Sequence, residues 1–289
     1  MIWQDYRKLY ANALKTYSPK FKKELQKQVD TFCRTQDYDA ISDKALKKTI
    51  KQLHVSLGTK MALTAEKDVK KATKGYIGPF EGKSQKTDLF SYLILQYLER
   101  QGLDQLASDI TGTTKDQIRR YLMQGAANNL SYAEMIPMLR QAGITDYRAE
   151  LIARTETSRA ANTGSMVGAM STGLVTVKEW IAAKDNRTRR IPRDKFDHLH
   201  MDGKRVAVDE PFTVPGMGSV EQMEYPGDSR ASAGNVCNCR CTVGFEVVRD
   251  ENDMPVSIQG NLRGPAGTLW SMWNNSLFLQ LQMLINEAI

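Results

Sequence analysis

Apolar residues recur at helical spacing through the first half of the chain. Phe21, Leu25, Val29 and Phe32 form one such stripe, with lysines between them. Asp43 to about Lys74 reads as a long lysine-rich helix with Leu46, Ile50, Leu53 and Leu57 on one side. Gly75 to Lys83 contains Gly78-Pro79 and breaks the pattern, as a hinge or linker would. From Gln85 the helices resume, with Leu89, Leu93, Tyr97 and Leu98 on a shared face. Thr114-Lys115-Asp116-Gln117 has the form of a capping box opening a helix through Ile118 and Leu122. Ser131-Tyr132-Ala133-Glu134 is a second, with Leu130 and Met135 placed as a hydrophobic staple. Gly143 fits a helix stop and Asp146 an N-cap, so a long helix is expected from Asp146 to about Ser171.

After Gly173 the period shortens. Val175 to Ala183, Lys204 to Val208 and Cys241 to Val248 read as strands, with glycine and proline frequent between them. Gly264-Pro265-Ala266-Gly267 then breaks the chain, and Trp270, Trp273, Leu277, Leu281 and Leu284 return to helical spacing. The expected fold class is α+β. A mostly helical N-terminal half precedes a small sheet-containing module packed on the long helix, and a helical tail follows. The segments are a basic helical region at 1–80, a helical region at 81–145, the α+β module at 146–250 and the tail at 251–289.

Charge changes this picture in one place. The chain of 289 residues carries a formal net charge of +7, and residues 1–80 alone carry about +9. The basic excess therefore belongs to the N-terminal helices. It fits either a solvated face or contact with a polyanion such as double-stranded DNA or an acidic protein surface. Met1 to Arg7 lack the basic-then-apolar pattern of a signal peptide. No apolar run has the length of a membrane span, and the mean hydropathy is −0.46, so a soluble protein without membrane contact is expected. Of the 4 cysteines, Cys237, Cys239 and Cys241 cluster, unlike a secreted disulfide framework, which points to a reducing cytoplasm. Cys33 adjoins an apolar stripe and reads as a core thiol.

The long helix holds small residues, Ala153, Ala160, Ala161, Gly164, Gly168 and Ala169, that permit close backbone approach. It also carries Arg154, Glu156, Arg159 and Asn162, which fit a buried polar network or, taken alone, a solvated face with local ion pairs such as Glu156–Arg159. Alternation at period two would put the Cys237, Cys239 and Cys241 thiols on one face of an extended segment. With His198, and with His200, Asp202 and Asp228 nearby in the motifs, three chemistries fit. One is a structural zinc site of His198, Cys239, Cys241 and Cys237, although Cys-x-Cys is tighter than the usual ligand spacing. Another is a structural network in which His198 and Asp202 bond to the helix at Arg154 and Glu156, and Asp228 accepts backbone donors in a Pro226-Gly227-Asp228 turn. The third is catalytic, with His198 and Cys239 as base and nucleophile, or His198, Asp202 and Asp228 holding a hydrolytic metal.

At these residues the sequence resembles the phage Mu F-like head morphogenesis (minor capsid) proteins. The matching pieces, in order, are Ala153-Arg154-Thr155-Glu156-Thr157 with Arg159-Ala160 and Asn162, then Lys178-Glu179-Trp180 and Asp185-Asn186-Arg187-Thr188-Arg189. His198 through Asp202-Gly203, Pro226-Gly227-Asp228 and Asn238-Cys239-Arg240-Cys241 complete them. The resemblance covers roughly residues 120–250. Arg190 to Asp197 is insertion-like, and Cys237 lies outside the family's Asn-Cys-Arg-Cys. The resemblance implies a minor head protein of tailed phages or prophages, placed inside the head and in the bacterial cytoplasm during assembly. Its implied partners are the portal and capsid proteins and packaged DNA, with roles in head assembly and in DNA packaging or ejection. Some family members carry a C-terminal toxin domain, for which the stretch after Val248 is expected to be too short. The alternative to a structural part is a metal-dependent nuclease or other hydrolase.

Overall fold

The N-terminal stripes fold as long helices. In the computed structural model, which describes residues 3–73, 83–143 and 145–257, helix α1 spans Trp3–Thr35 and buries Tyr6, Tyr10, Tyr17, Phe21 and Leu25 on one face. Helix α2, Lys44–Lys71, buries Leu46, Ile50, Leu53 and Leu57 as its spacing demands, and a second line of His54, Gly58 and Ala62 beside them. Helix α3, Lys83–Arg100, contributes Phe90, Leu93, Ile94, Tyr97 and Leu98. The Gly78-Pro79 breaker and the Trp270 to Leu284 stripe lie outside the described residues.

Two sequence expectations fail on capping. Helix α4 runs unbroken over Leu103–Ala127, so Thr114 sits inside it rather than at its start. The Leu103, Ala107 and Ile118 stripe carries the helix through, and the Thr114 hydroxyl donates to the Ile110 carbonyl and accepts from Arg148. Helix α6, Asp146–Met170, has Thr145 at its N-cap and no side-chain cap. Asp146 is its first residue and pairs with Lys22 at 3.0 Å instead. The Ser131 capping box does form at the head of helix α5, Tyr132–Gln141. Leu130 and Met135 both close on Gly125 of α4.

The C-terminal half carries two small antiparallel sheets. Strands β1 (Thr176–Ile181), β2 (Arg205–Ala207) and β5 (Thr242–Val247) are ordered β2-β1-β5, with Trp180 opposite Val243. Strands β3 (Phe212–Gly216) and β4 (Ser219–Met223) form a hairpin that the sequence reading did not identify. Its tight turn puts Gly218 at φ +72°. A single helical turn, α7 (Ala233–Val236), precedes β5. The architecture is α+β.

Helix α6 lies at the centre. It packs most extensively on α2, and also on α1, α3 and β5. Every residue from Thr155 to Met170 is buried. One apolar cluster joins Ala62, Phe90 and Ile94 to Met166, Trp180, Phe196, Phe212 and Val243, so α2 and α3 share their core with the sheets. A second cluster joins α1 and α2 to Ala153 and Ala160 of α6. Cys33 is buried as a core thiol in a third. No described helix is long and apolar enough to cross a membrane.

Candidate functional site

The polar groups on the buried Thr155–Met170 stretch of α6 need partners, and most of them find these on neighbouring segments. Arg159 donates from Nη1 to both Glu156 oxygens at 2.9 and 3.0 Å, and from Nε to the Gly227 carbonyl at 3.2 Å. Glu156 also meets Nε2 of His54 on α2 at 3.0 Å. Asn162 donates to the Pro226 and Cys241 carbonyls and accepts from the Thr242 hydroxyl and the Val243 amide. Thr155 accepts the Asn238 amide, and Thr163 donates to the Tyr225 hydroxyl. Through these bonds α6 is fixed to the Tyr225-Pro226-Gly227 turn and to the Asn238–Val243 segment. Gly227, at φ +91°, lets that turn approach the Arg159 backbone. Burial pushes the Glu156 carboxyl up, and Arg159 and His54 outweigh it, holding it below the usual carboxylate range.

The structure corrects the expected network. Arg154 forms an i,i+4 pair with Glu150 at 2.9 Å, away from the buried groups, and its side chain is 27% exposed. The solvated reading fails for Glu156 and Arg159, whose side chains are 3% and 11% exposed. Asp202 accepts the Ala182 amide and pairs with Lys184, not with α6. His198 faces Asn235 and the thiols rather than Arg154 or Glu156. Asp228 accepts the Glu224 and Arg230 amides and the Arg230 guanidinium, so its carboxylate is fully engaged in its own turn. Neither aspartate joins His198 in a metal set, since the described metal-type group is His198, Cys239 and Cys241 alone.

The sequence reading missed a second buried ion pair. Lys178 of β1, fully buried, donates to Glu224 at 2.9 Å and lies over the Phe212 ring. Burial pulls its pKa down, against the opposing pull of Glu224. The signal was present: in an alternating strand Lys178 must share the face of Thr176 and Trp180, and all three are buried.

His198 and two of the three clustered cysteines do converge. The Nδ1 atom lies 3.5 Å from Cys239 Sγ and 3.7 Å from Cys241 Sγ, all three residues being buried. The His198 and Leu199 amides both donate to the Arg189 carbonyl, which anchors the loop that carries the imidazole. Cys237 is not in the group. The segment is not extended there: Cys237 ends the α7 turn, and Asn238 at φ +61° reverses the chain, which breaks the expected alternation. Hydrogen bonding from Cys241, helped by His198, lowers the Cys239 thiol well below its usual pKa, while the same contact and burial raise Cys241. Asp185 accepts the Arg240 guanidinium at 2.7 and 2.9 Å and braces this corner from outside.

Residues 116–244 match the family described as Phage Mu protein F like protein. A relative, NAD(+)--arginine ADP-ribosyltransferase EFV of Enterococcus faecalis (strain ATCC 700802 / V583), is 30% identical over 174 residues, which is 59% of this chain and 30% of the relative. The chain thus spans less than a third of that relative's length. No solved structure matches the chain. The Arg159, Asn162, Pro226-Gly227 and Asn238–Cys241 motifs, joined in space around α6, all fall within residues 116–244, the stretch that is similar to the phage Mu F-like family.

Proposed function

We propose that the chain is a minor head protein of a phage or prophage, one that associates with the portal and the capsid and takes part in head assembly and in DNA packaging or ejection. The match of residues 116–244 to the phage Mu F-like family carries this reading. The burial of its polar motifs supports it, because Arg159, Asn162 and Asp228 spend their bonds on holding segments together. Groups used in that way make a rigid part. The nuclease alternative loses its proposed carboxylate ligands, since Asp202 and Asp228 stand in other networks. The transferase named for the E. faecalis relative is not carried over, because so little of that protein is shared.

The N-terminal helices supply the contact with DNA in this reading. Lys8, Lys15 and Lys22 recur every seven residues along α1 and are exposed, as are Arg7, Lys20 and Lys23. Binding of the full chain to double-stranded DNA is expected to weaken about tenfold or more between about 50 and 200 mM salt, as the release of several phosphate counterions requires. Filter binding across a salt series measures the slope. A flat response would assign the basic face to a protein partner. The head role itself is tested by particles: the chain should co-purify with DNA-filled heads and resist added protease until the heads are opened. Its absence from purified particles would overturn the reading.

A further inference from the structure

We propose that His198, Cys239 and Cys241 bind a zinc ion through one imidazole nitrogen and two thiolates, with Cys237 outside the coordination sphere and a solvent water in the fourth position. Zinc–sulfur bonds of about 2.3 Å and zinc–nitrogen bonds of about 2.05 Å, set at tetrahedral angles, place a sulfur and a nitrogen ligand about 3.6 Å apart. The Nδ1 to sulfur distances of 3.5 and 3.7 Å lie on that edge. Both nitrogen–sulfur edges are therefore already at ligand spacing, all three atoms lie within 4.8 Å of one another, and soft sulfur with imidazole donors selects zinc over harder cations.

The imidazole is prepared for the same role. Its Nε2 is in hydrogen-bond contact with Asn235 Oδ1, a carbonyl oxygen that can only accept. Asn235 is held in that orientation because its own Nδ2 donates to Glu221 at 3.0 Å. The hydrogen therefore sits on Nε2, and the Nδ1 lone pair points at the sulfurs. A histidine ligand fixed through its second nitrogen by an outer partner is the usual arrangement at zinc. A cavity of about 10 Å³ adjoins the three ligands, bordered by Thr188, Arg189 and Asn238, and has room for about one water. Binding releases the protons held by the two thiols and leaves the imidazole neutral, so the ion and its ligands carry no net charge beside Arg189 and Arg240. The ion would tie the loop after Arg189 to the start of β5, segments 41 positions apart. This site does not depend on the head role.

Elemental analysis of the full chain, purified without chelator, is expected to give about one zinc per chain. Metal-free chain titrated with Co²⁺ should develop the intense visible bands of tetrahedral cobalt, with thiolate charge-transfer intensity matching two sulfurs. Cys237→Ser should keep that spectrum, and Cys239→Ser or Cys241→Ser should lose it. Asn235→Ala, a positioning change, should weaken zinc binding by about ten- to a hundredfold. Because Cys239 and Cys241 are buried, alkylation of the folded wild-type chain, mapped by peptide, provides a second readout. Cys237 should react with zinc present, and Cys239 and Cys241 only after a chelator is added. A folded metal-free chain without cobalt bands, loss of the bands in Cys237→Ser, or thiol reactivity indifferent to chelator would each overturn the site.

Discussion

Arg159→Ala is expected to destabilise the chain by about 3–5 kcal/mol, because it strands the buried Glu156 carboxylate without its main partner. The neighbouring Arg154→Ala should cost less than about 1 kcal/mol, since its pair with Glu150 is exposed and screened by solvent. Chemical unfolding of the two variants measures the difference. Equal losses would mean that Arg159 is not buried against Glu156. Replacing both partners, as in Glu156→Leu with Arg159→Leu, should cost less than Arg159→Ala alone, because no charge is then left unpaired. The pH dependence follows in sign. Glu156 is depressed in the folded chain, so its stabilisation is complete above the unfolded carboxyl value of about 4.3 and drains away as pH falls through its lower folded value. The Arg159→Ala variant should therefore begin acid unfolding at a higher pH than the wild type.

Gly168→Ala should have a comparable effect for a different reason. A Cβ there would lie 2.0 Å from the Ala62 carbonyl oxygen, and one at Gly164 would lie 2.2 Å from the Gly58 carbonyl oxygen. Both obstacles are backbone, so helices α2 and α6 must separate along their shared face. We expect Gly168→Ala to cost about 3 kcal/mol or more, against a helix-propensity gain of only about 1 kcal/mol. Gly112 on α4 is the control, since nothing lies within 4 Å of its missing Cβ. There the same substitution should stabilise by about 1 kcal/mol. A neutral Gly168→Ala, read from the same unfolding curves, would show that the helices do not make this contact.

The contrast between these sites explains what the sequence could reveal. The small residues of α6 and its polar residues were both visible, and close packing with a polar network follows from that combination. Which arginine belonged to the network was not visible. Arg154 and Arg159 differ only in the side of the helix they occupy, and that side has meaning only once α2 and the Gly227 turn are in place. The Ser131 box was legible because both of its partners are local. Thr114 misled because a local motif loses to a continuous apolar stripe. The β3–β4 hairpin escaped because Pro215 argues against a strand, although β3 pairs with β4 alone among the described strands. The convergence of His198 on Cys239 and Cys241 could be anticipated from residue types, but excluding Cys237 required the left-handed backbone at Asn238.

Helix α6 is the buried polar spine that joins the helical half to the sheets. Native-state hydrogen exchange tests this most directly. Amides from Thr155 to Met170 should exchange only through global unfolding, with a protection free energy equal to the full stability of the chain, while those of α5 exchange by smaller openings. If the α6 amides exchange as readily as those of α5, the helix is not the spine and the account is contradicted.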